Sequence, residues 1–213
     1  MNLPNKITTV RIILIPFIIF FYLSTPFLSV GKLIAAGLFA VAVLTDFLDG
    51  YFARKLNLVT TLGKFLDSIA DKMLVLGAMV LVVADNTILA PWGVISFAII
   101  IFRELIVSAL RQMAASKNVI IAADMWGKVK ANFQFFAILF FMIFSYFIDN
   151  SILSDGLFLG FSIVCYALLA ITVLATVISG VHYLVKNKAV FVDNKKETKE
   201  DNKEKTKEEN KEK

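Results

Sequence analysis

Four aspartates dominate the chemistry this chain can offer. Asp46, Asp49, Asp67 and Asp71 lie within an otherwise apolar stretch whose spacing reads D-x2-D-G-x2-A-R-x8-G-x3-D-x3-D. Asp46 and Asp49 are three residues apart, and Asp67 and Asp71 four apart, so each pair shares one face of a helix. The short segment Leu56 to Leu62 between the pairs predicts a turn joining two antiparallel helices, whose facing ends each carry two carboxylates. An ionised Asp at a bilayer centre costs roughly 2.5–3.5 kcal/mol, and four together repel one another. Divalent cations remove both penalties, and carboxylate oxygen suits Mg²⁺ or Mn²⁺. Two such ions about 3.5–4 Å apart form a clamp for displacement at phosphorus. Gly50 and Ala53 keep the Asp46 face open to a bulky ligand, and Arg54 supplies a cation suited to phosphate.

The elements that must position these residues are membrane helices. The chain is 58% hydrophobic and holds 20 Phe among 213 residues, too apolar for an ordinary soluble domain. At roughly 20 residues per span, six helices are expected: about Ile7 to Leu28, Leu33 to Ala53, Gly63 to Ala84, Pro91 to Ala115, Trp126 to Ile148 and Leu157 to Val185. The N-terminal run has no small-residue cleavage site after it and reads as an uncleaved first span. Residues 193–213 hold 8 Lys and 8 acids, so this tail is neutral and reads as a disordered extension, leaving a membrane domain over 1–192. The rest of the chain carries 14 basic residues against 9 acidic ones. A basic excess set among spans argues for orientation and anionic substrates, not for nucleic acid.

Orientation follows from where the charges fall. With the N-terminal side taken as inner, Lys6, Arg11, Arg54, Lys55, Lys64, Lys72, Arg103, Arg111, Lys117, Lys128, Lys130, Lys186 and Lys188 all lie at inner loops and helix ends. The outer side holds Lys32 with Asp85, Asp149 and Asp155. Both termini are therefore expected in the cytoplasm of a multi-pass protein of the cell membrane. The expected fold is an all-α integral membrane protein of six transmembrane helices, with a polar cavity open to the cytoplasm and closed above by an apolar bundle. Trp92 and Trp126 fit interfacial belts, Cys165 reads as a small hydrophobe, and His182 as an interfacial polar residue.

Two further groups carry charge toward the same side. Glu104 and Arg111 are seven apart and share a helix face, with Arg103 pointing elsewhere; Lys128 and Lys130 open the fifth helix. The four cations suit a phosphate near the aspartates, while ion pairing and ordinary inner-side anchoring are the plainer alternatives. At the N-terminus, Thr8 and Arg11 share one face near the inner interface, where headgroup contact or helix capping would also explain them.

The 46–71 stretch resembles, at every fixed position, the signature of the CDP-alcohol phosphotransferases, membrane enzymes that move a phosphatidyl or similar group from a CDP-linked donor to an alcohol. The resemblance extends from Pro4 to about Phe191 and includes the opening P-N-x-I-T-x2-R. It implies that Asp46, Asp49, Asp67 and Asp71 hold two divalent cations (Mg²⁺ or Mn²⁺), and that Asp71 is the general base for the acceptor hydroxyl. It further implies that Gly50, Ala53, Arg54, Thr60 and Gly63 lie near the CDP group, and that the protein is a homodimer. The R-E-x6-R and G-K-x-K patterns are similar to those of the branch that transfers phosphatidyl from CDP-diacylglycerol to sn-glycerol 3-phosphate, giving phosphatidylglycerophosphate and CMP. That likeness places Arg103, Arg111, Lys128, Lys130, Thr8 and Arg11 around the acceptor phosphate. The branch usually continues G-K-x-K-T, and here Ala131 follows Lys130. The same chemistry with phosphatidylglycerol, serine or inositol phosphate as acceptor is the nearest alternative; a cation transporter, with acids at mid-membrane, is the distant one.

Overall fold

The computed structural model describes residues 3–56, 61–85, 89–116 and 125–187; within them, the side chains of 3–7, 46–56, 61, 62, 64, 65, 116, 125, 126 and 128 lie outside the description. The described residues form six helices and no strand: α1 (Leu3–Leu23), α2 (Gly31–Leu56), α3 (Thr61–Ala84), α4 (Trp92–Ser116), α5 (Met125–Asp149) and α6 (Asp155–Lys186). The tail expected from residue 193 falls outside them.

The first helix ends five residues earlier than the expected Leu28. Ser24 Oγ donates to the Phe21 carbonyl and Thr25 Oγ1 to the Tyr22 carbonyl, each at 2.8 Å. These hydroxyls satisfy carbonyls that the next helical turn would otherwise have taken, and Pro26 has no N–H with which to continue. The chain turns over at Gly31, where an added Cβ would overlap the Phe21 carbonyl oxygen, so α2 begins hard against the end of α1.

Packing puts small residues between helices and large apolar ones outside. Ala35, Ala36, Ala42, Ala70, Ala78, Ala114 and Ala137 are buried, which lets helix backbones approach closely. Phe20, Leu44, Phe102, Phe136, Leu159 and Leu174 are exposed on the outer surface. This inside-out arrangement belongs in lipid rather than water. By length and composition, α4, α5 and α6 are long and apolar enough to cross a membrane, and α1 and α2 contain shorter apolar stretches, Thr8–Leu23 and Gly31–Thr45. The protein is thus an all-helical membrane protein.

α1 is the main neighbour of both α2 and α3, which touch each other less than either touches α1. α1 thus packs on both of the carboxylate-bearing helices. α5 packs on α2 and α6, and α6 also carries α4. Phe140, Phe144 and Phe161 stack where α5 meets α6, with ring centroids 5.3–6.4 Å apart.

One end of the bundle is closed by a polar cluster. Lys32 Nζ, at the start of α2, pairs with Asp85 at 2.9 Å just past α3 and with Asp149 at 2.7 Å at the end of α5. It also donates to Ser145 Oγ at 2.7 Å and lies 5.4 Å from the centre of the Tyr22 ring. Tyr22 and Ser145 donate in turn to Asp85. These contacts bring together the ends of α1, α3 and α5 and the start of α2. Charge patterning had set Lys32 among the outer-side acids; the structure buries it there, with a relative exposure of 4%. Burial raises the cost of the charged Asp85 carboxyl, but hydrogen bonds from Lys32, Ser145 and Tyr22 outweigh it and hold Asp85 below the usual carboxylate range.

Candidate active site

At the opposite end, α3, α4, α5 and α6 enclose a cavity of about 240 Å³. Pockets for drug-sized ligands run to roughly 300–1,000 Å³, so this one suits a small molecule. Its wall includes Asp71 and Lys72 from α3, Arg103, Glu104 and Arg111 from α4, Gly127, Lys130, Ala131 and Gln134 from α5, and Ser179 and Tyr183 from α6. Helical spacing accounts for the grouping. Residues 103, 107 and 111 recur every four positions on α4, and 127, 130, 131 and 134 every three or four on α5, so each set forms one inward stripe.

Two of the cations in this wall, Arg103 and Lys130, share one carboxylate. Glu104 Oε1 accepts from Arg103 Nη1 at 3.3 Å and pairs closely with Lys130 Nζ. Lys130 is buried, with its side chain 5% exposed. The expectation that Arg103 points away from the Glu104–Arg111 face is corrected here: Arg103 reaches both Glu104 and the cavity. Its stem lies across Gly180 of α6, where an added Cβ would stand 3.0 Å from Arg103 Cγ. The absent side chain at 180 admits the guanidinium, whose Nη2 donates to Ser179 Oγ at 2.7 Å. Lys72, Arg103, Arg111 and Lys130 against Asp71 and Glu104 leave the cavity wall with an excess of basic side chains, which suits a phosphorylated guest.

Asp67 and Asp71 follow one another by a helical turn on α3. Asp71 belongs to the cavity wall. Asp67 is half-exposed, and its Oδ1 accepts from Arg11 Nη1 of α1 at 3.1 Å. Arg11 is fully buried and Thr8 nearly so, and neither lines the cavity. The structure thus sets Arg11 against a carboxylate that sequence spacing assigned to metal. Gly63 lies in the first turn of α3. The backbones of Asp46, Asp49, Gly50, Ala53 and Arg54 lie in α2 and that of Lys128 in α5, with their side chains outside the described residues; Thr60 lies outside them altogether.

The residues present are compatible with divalent cations. Asp67 and Asp71 offer hard oxygen donors one turn apart, and Asp67 uses only one oxygen on Arg11 in the contact above. Among the described residues alone, no group of three potential ligands comes together.

The sequence reading missed the α6 wall. Ser179 and Tyr183 are neutral and sit in the most apolar helix, so a search for charge passes over them. The signal was there as a stripe: Thr172, Thr176, Ser179 and Tyr183 recur at helical spacing, and all are buried. Gln134 of α5, also buried, was missed for the same reason.

Comparison with known proteins shows the family. The family model described as CDP-alcohol phosphatidyltransferase matches residues 1–178. A protein of Bacillus subtilis (strain 168) named CDP-diacylglycerol–glycerol-3-phosphate 3-phosphatidyltransferase is 46% identical over 149 residues, covering 64% of this chain and 74% of the relative. Proteins of the same name from Rickettsia bellii (strain RML369-C) and Pseudomonas fluorescens are 41% and 47% identical, covering 64% and 54% of this chain and 72% and 57% of the relatives. With the family model spanning most of its length, the chain belongs to the CDP-alcohol phosphatidyltransferase family, the membrane transferases of phospholipid synthesis.

Proposed function

We propose that this protein transfers the phosphatidyl group of CDP-diacylglycerol to sn-glycerol 3-phosphate, releasing CMP and phosphatidylglycerophosphate. The observation that carries the acceptor is the cavity itself: Asp71 faces the same small space as Arg103, Arg111 and Lys130. A polyol phosphate held there would have its phosphate on the cations and its far hydroxyl toward the aspartate. The names of the relatives, borne by proteins 41–47% identical, support the same acceptor.

In this reading Asp46, Asp49, Asp67 and Asp71 would hold two divalent cations, which would neutralise the diphosphate and polarise its phosphorus. Gly50, Ala53, Arg54, Thr60 and Gly63 line the path of the CDP group. Asp71 takes the proton from the acceptor's terminal hydroxyl. The freed oxygen bonds to the β-phosphorus, the bond from that phosphorus to the bridging oxygen breaks, and CMP leaves with the electron pair. Arg103, Arg111, Lys128 and Lys130 fix the acceptor phosphate, so that attack is nearly intramolecular. Arg11 holds Asp67 in place across the α1–α3 contact rather than touching the acceptor. Six membrane crossings, with the aspartates and both termini on the cytoplasmic side, match the side from which the soluble glycerol 3-phosphate arrives. The acyl chains reach the site laterally from the bilayer, and a homodimer is the expected assembly.

The test is an acceptor screen. Purified protein in detergent receives CDP-diacylglycerol, Mg²⁺ or Mn²⁺, and one of glycerol 3-phosphate, serine, inositol phosphate or phosphatidylglycerol. Lipid product and CMP in equal amounts with glycerol 3-phosphate alone is the expected result. Turnover with another acceptor and not with glycerol 3-phosphate would discard this assignment.

A further inference from the structure

The inward stripe of α6 changes character along its length. Thr172 Oγ1 closes on the Leu168 carbonyl and Thr176 Oγ1 on the Thr172 carbonyl, each at 2.7 Å, so both hydroxyls are spent within the helix. Ser179 Oγ instead accepts from Arg103 across the α4–α6 contact. One turn further on, Tyr183 is 3% exposed, lines the cavity, and its Oη has no hydrogen-bond partner among the described residues. A buried hydroxyl left without a partner costs about 1–3 kcal/mol. Phenylalanine would pack the same ring without that cost. A tyrosine kept at such a point has its partner in what fills the cavity.

The chemistry of the guest narrows the partner. Taking glycerol 3-phosphate as the acceptor, on which this step rests, the molecule presents three polar groups. Its phosphate calls for cations, which α4 and α5 supply. Its terminal hydroxyl must reach Asp71. The hydroxyl on the middle carbon remains, and it is neutral and both donates and accepts. A phenolic hydroxyl has the same two capacities. We propose that Tyr183 is a substrate-contact residue, its Oη hydrogen-bonded to the middle hydroxyl of the acceptor, so that α6 selects a 1,2-diol phosphate over a chain lacking that hydroxyl. Ser179 acts on the same site through Arg103, as a positioning residue.

The experiment compares glycerol 3-phosphate with its 2-deoxy analogue, 3-hydroxypropyl phosphate, in the unaltered protein and in Tyr183→Phe. The variant loses only a hydroxyl, and an unchanged thermal midpoint in detergent establishes that it folds. The unaltered protein is expected to favour glycerol 3-phosphate. Tyr183→Phe should lower kcat/KM for glycerol 3-phosphate about tenfold, chiefly through KM, and leave the analogue unaffected, so that the preference disappears. An equal fall with both acceptors, or no fall with either, overturns the role of Tyr183 while leaving the acceptor assignment intact. An unaltered protein that turns over serine and neither polyol phosphate overturns both.

Discussion

Lys32→Met tests the packing of the bundle separately from its chemistry. The lysine side chain is 5% exposed and faces two carboxylates, Asp85 at 19% and Asp149 at 27%. Removing one partner from a fully buried ion pair costs roughly 3–5 kcal/mol, because the remaining charge is left without compensation. Here the two acids keep some contact with solvent, which brings the expected loss to about 2 kcal/mol. For a chain of this length that corresponds to roughly 4–8 °C in thermal midpoint, read by tryptophan fluorescence in detergent. The pH dependence gives a second readout with a definite sign. In the unaltered protein Asp85 is held below its usual range, so its contribution is full above the unfolded value of about 3.9 and is lost as pH falls through the folded value. Without Lys32, burial opposes ionisation of Asp85 with less to offset it, and the deficit of the variant should shrink on acidification. Asp85 lies 14 residues beyond Asp71, about 21 Å along a helix, so the rate of CMP release per folded molecule should not change. An unchanged midpoint, or a deficit that grows as pH falls, would refute the ionic account of this cluster.

Two further outcomes concern the active site. Chelation by EDTA should abolish CMP release, with recovery on adding excess Mg²⁺ or Mn²⁺ and none on adding buffer alone; retained turnover in chelator would exclude the carboxylate–metal reading. Lys130→Met should lower kcat/KM for glycerol 3-phosphate about ten- to a hundredfold through loss of a charge-assisted contact, with KM for CDP-diacylglycerol unchanged. Equal effects on both substrates would place Lys130 outside the acceptor subsite.

The sequence was most informative where its signal was long-range in period or extreme in composition. Six helices follow from six apolar stretches, and the two-ended distribution of charge anticipated which side chains would meet. Asp71, Arg103, Arg111 and Lys130 come together because three separate helices, α3, α4 and α5, carry their charges toward the same end. Helix ends were less legible, since the end of α1 depends on two side-chain hydroxyls and one proline rather than on hydropathy. Individual atom-to-atom contacts between helices were less legible than the end of the bundle that the charges share. No helical wheel shows that Gly180 makes room for Arg103, or that Arg11 crosses to Asp67. Lys32 was grouped with Asp85 and Asp149 on the outer side, but its burial between them was not foreseen, since they are 53 and 117 residues away in the chain. Ser179 and Tyr183 escaped because a neutral hydroxyl in an apolar helix carries no marker until a cavity forms beside it.

The central claim is that the carboxylate end of α3 performs phosphatidyl transfer to an acceptor held by the α4 and α5 cations. Its most direct measurement is the initial rate of CMP release from CDP-diacylglycerol and glycerol 3-phosphate, with divalent cation present, for the unaltered protein and for Asp71→Asn at equal folded concentration. Asp71→Asn should lower the rate by at least about a hundredfold, as expected when a positioned base is removed. A rate within twofold of the unaltered protein would contradict it.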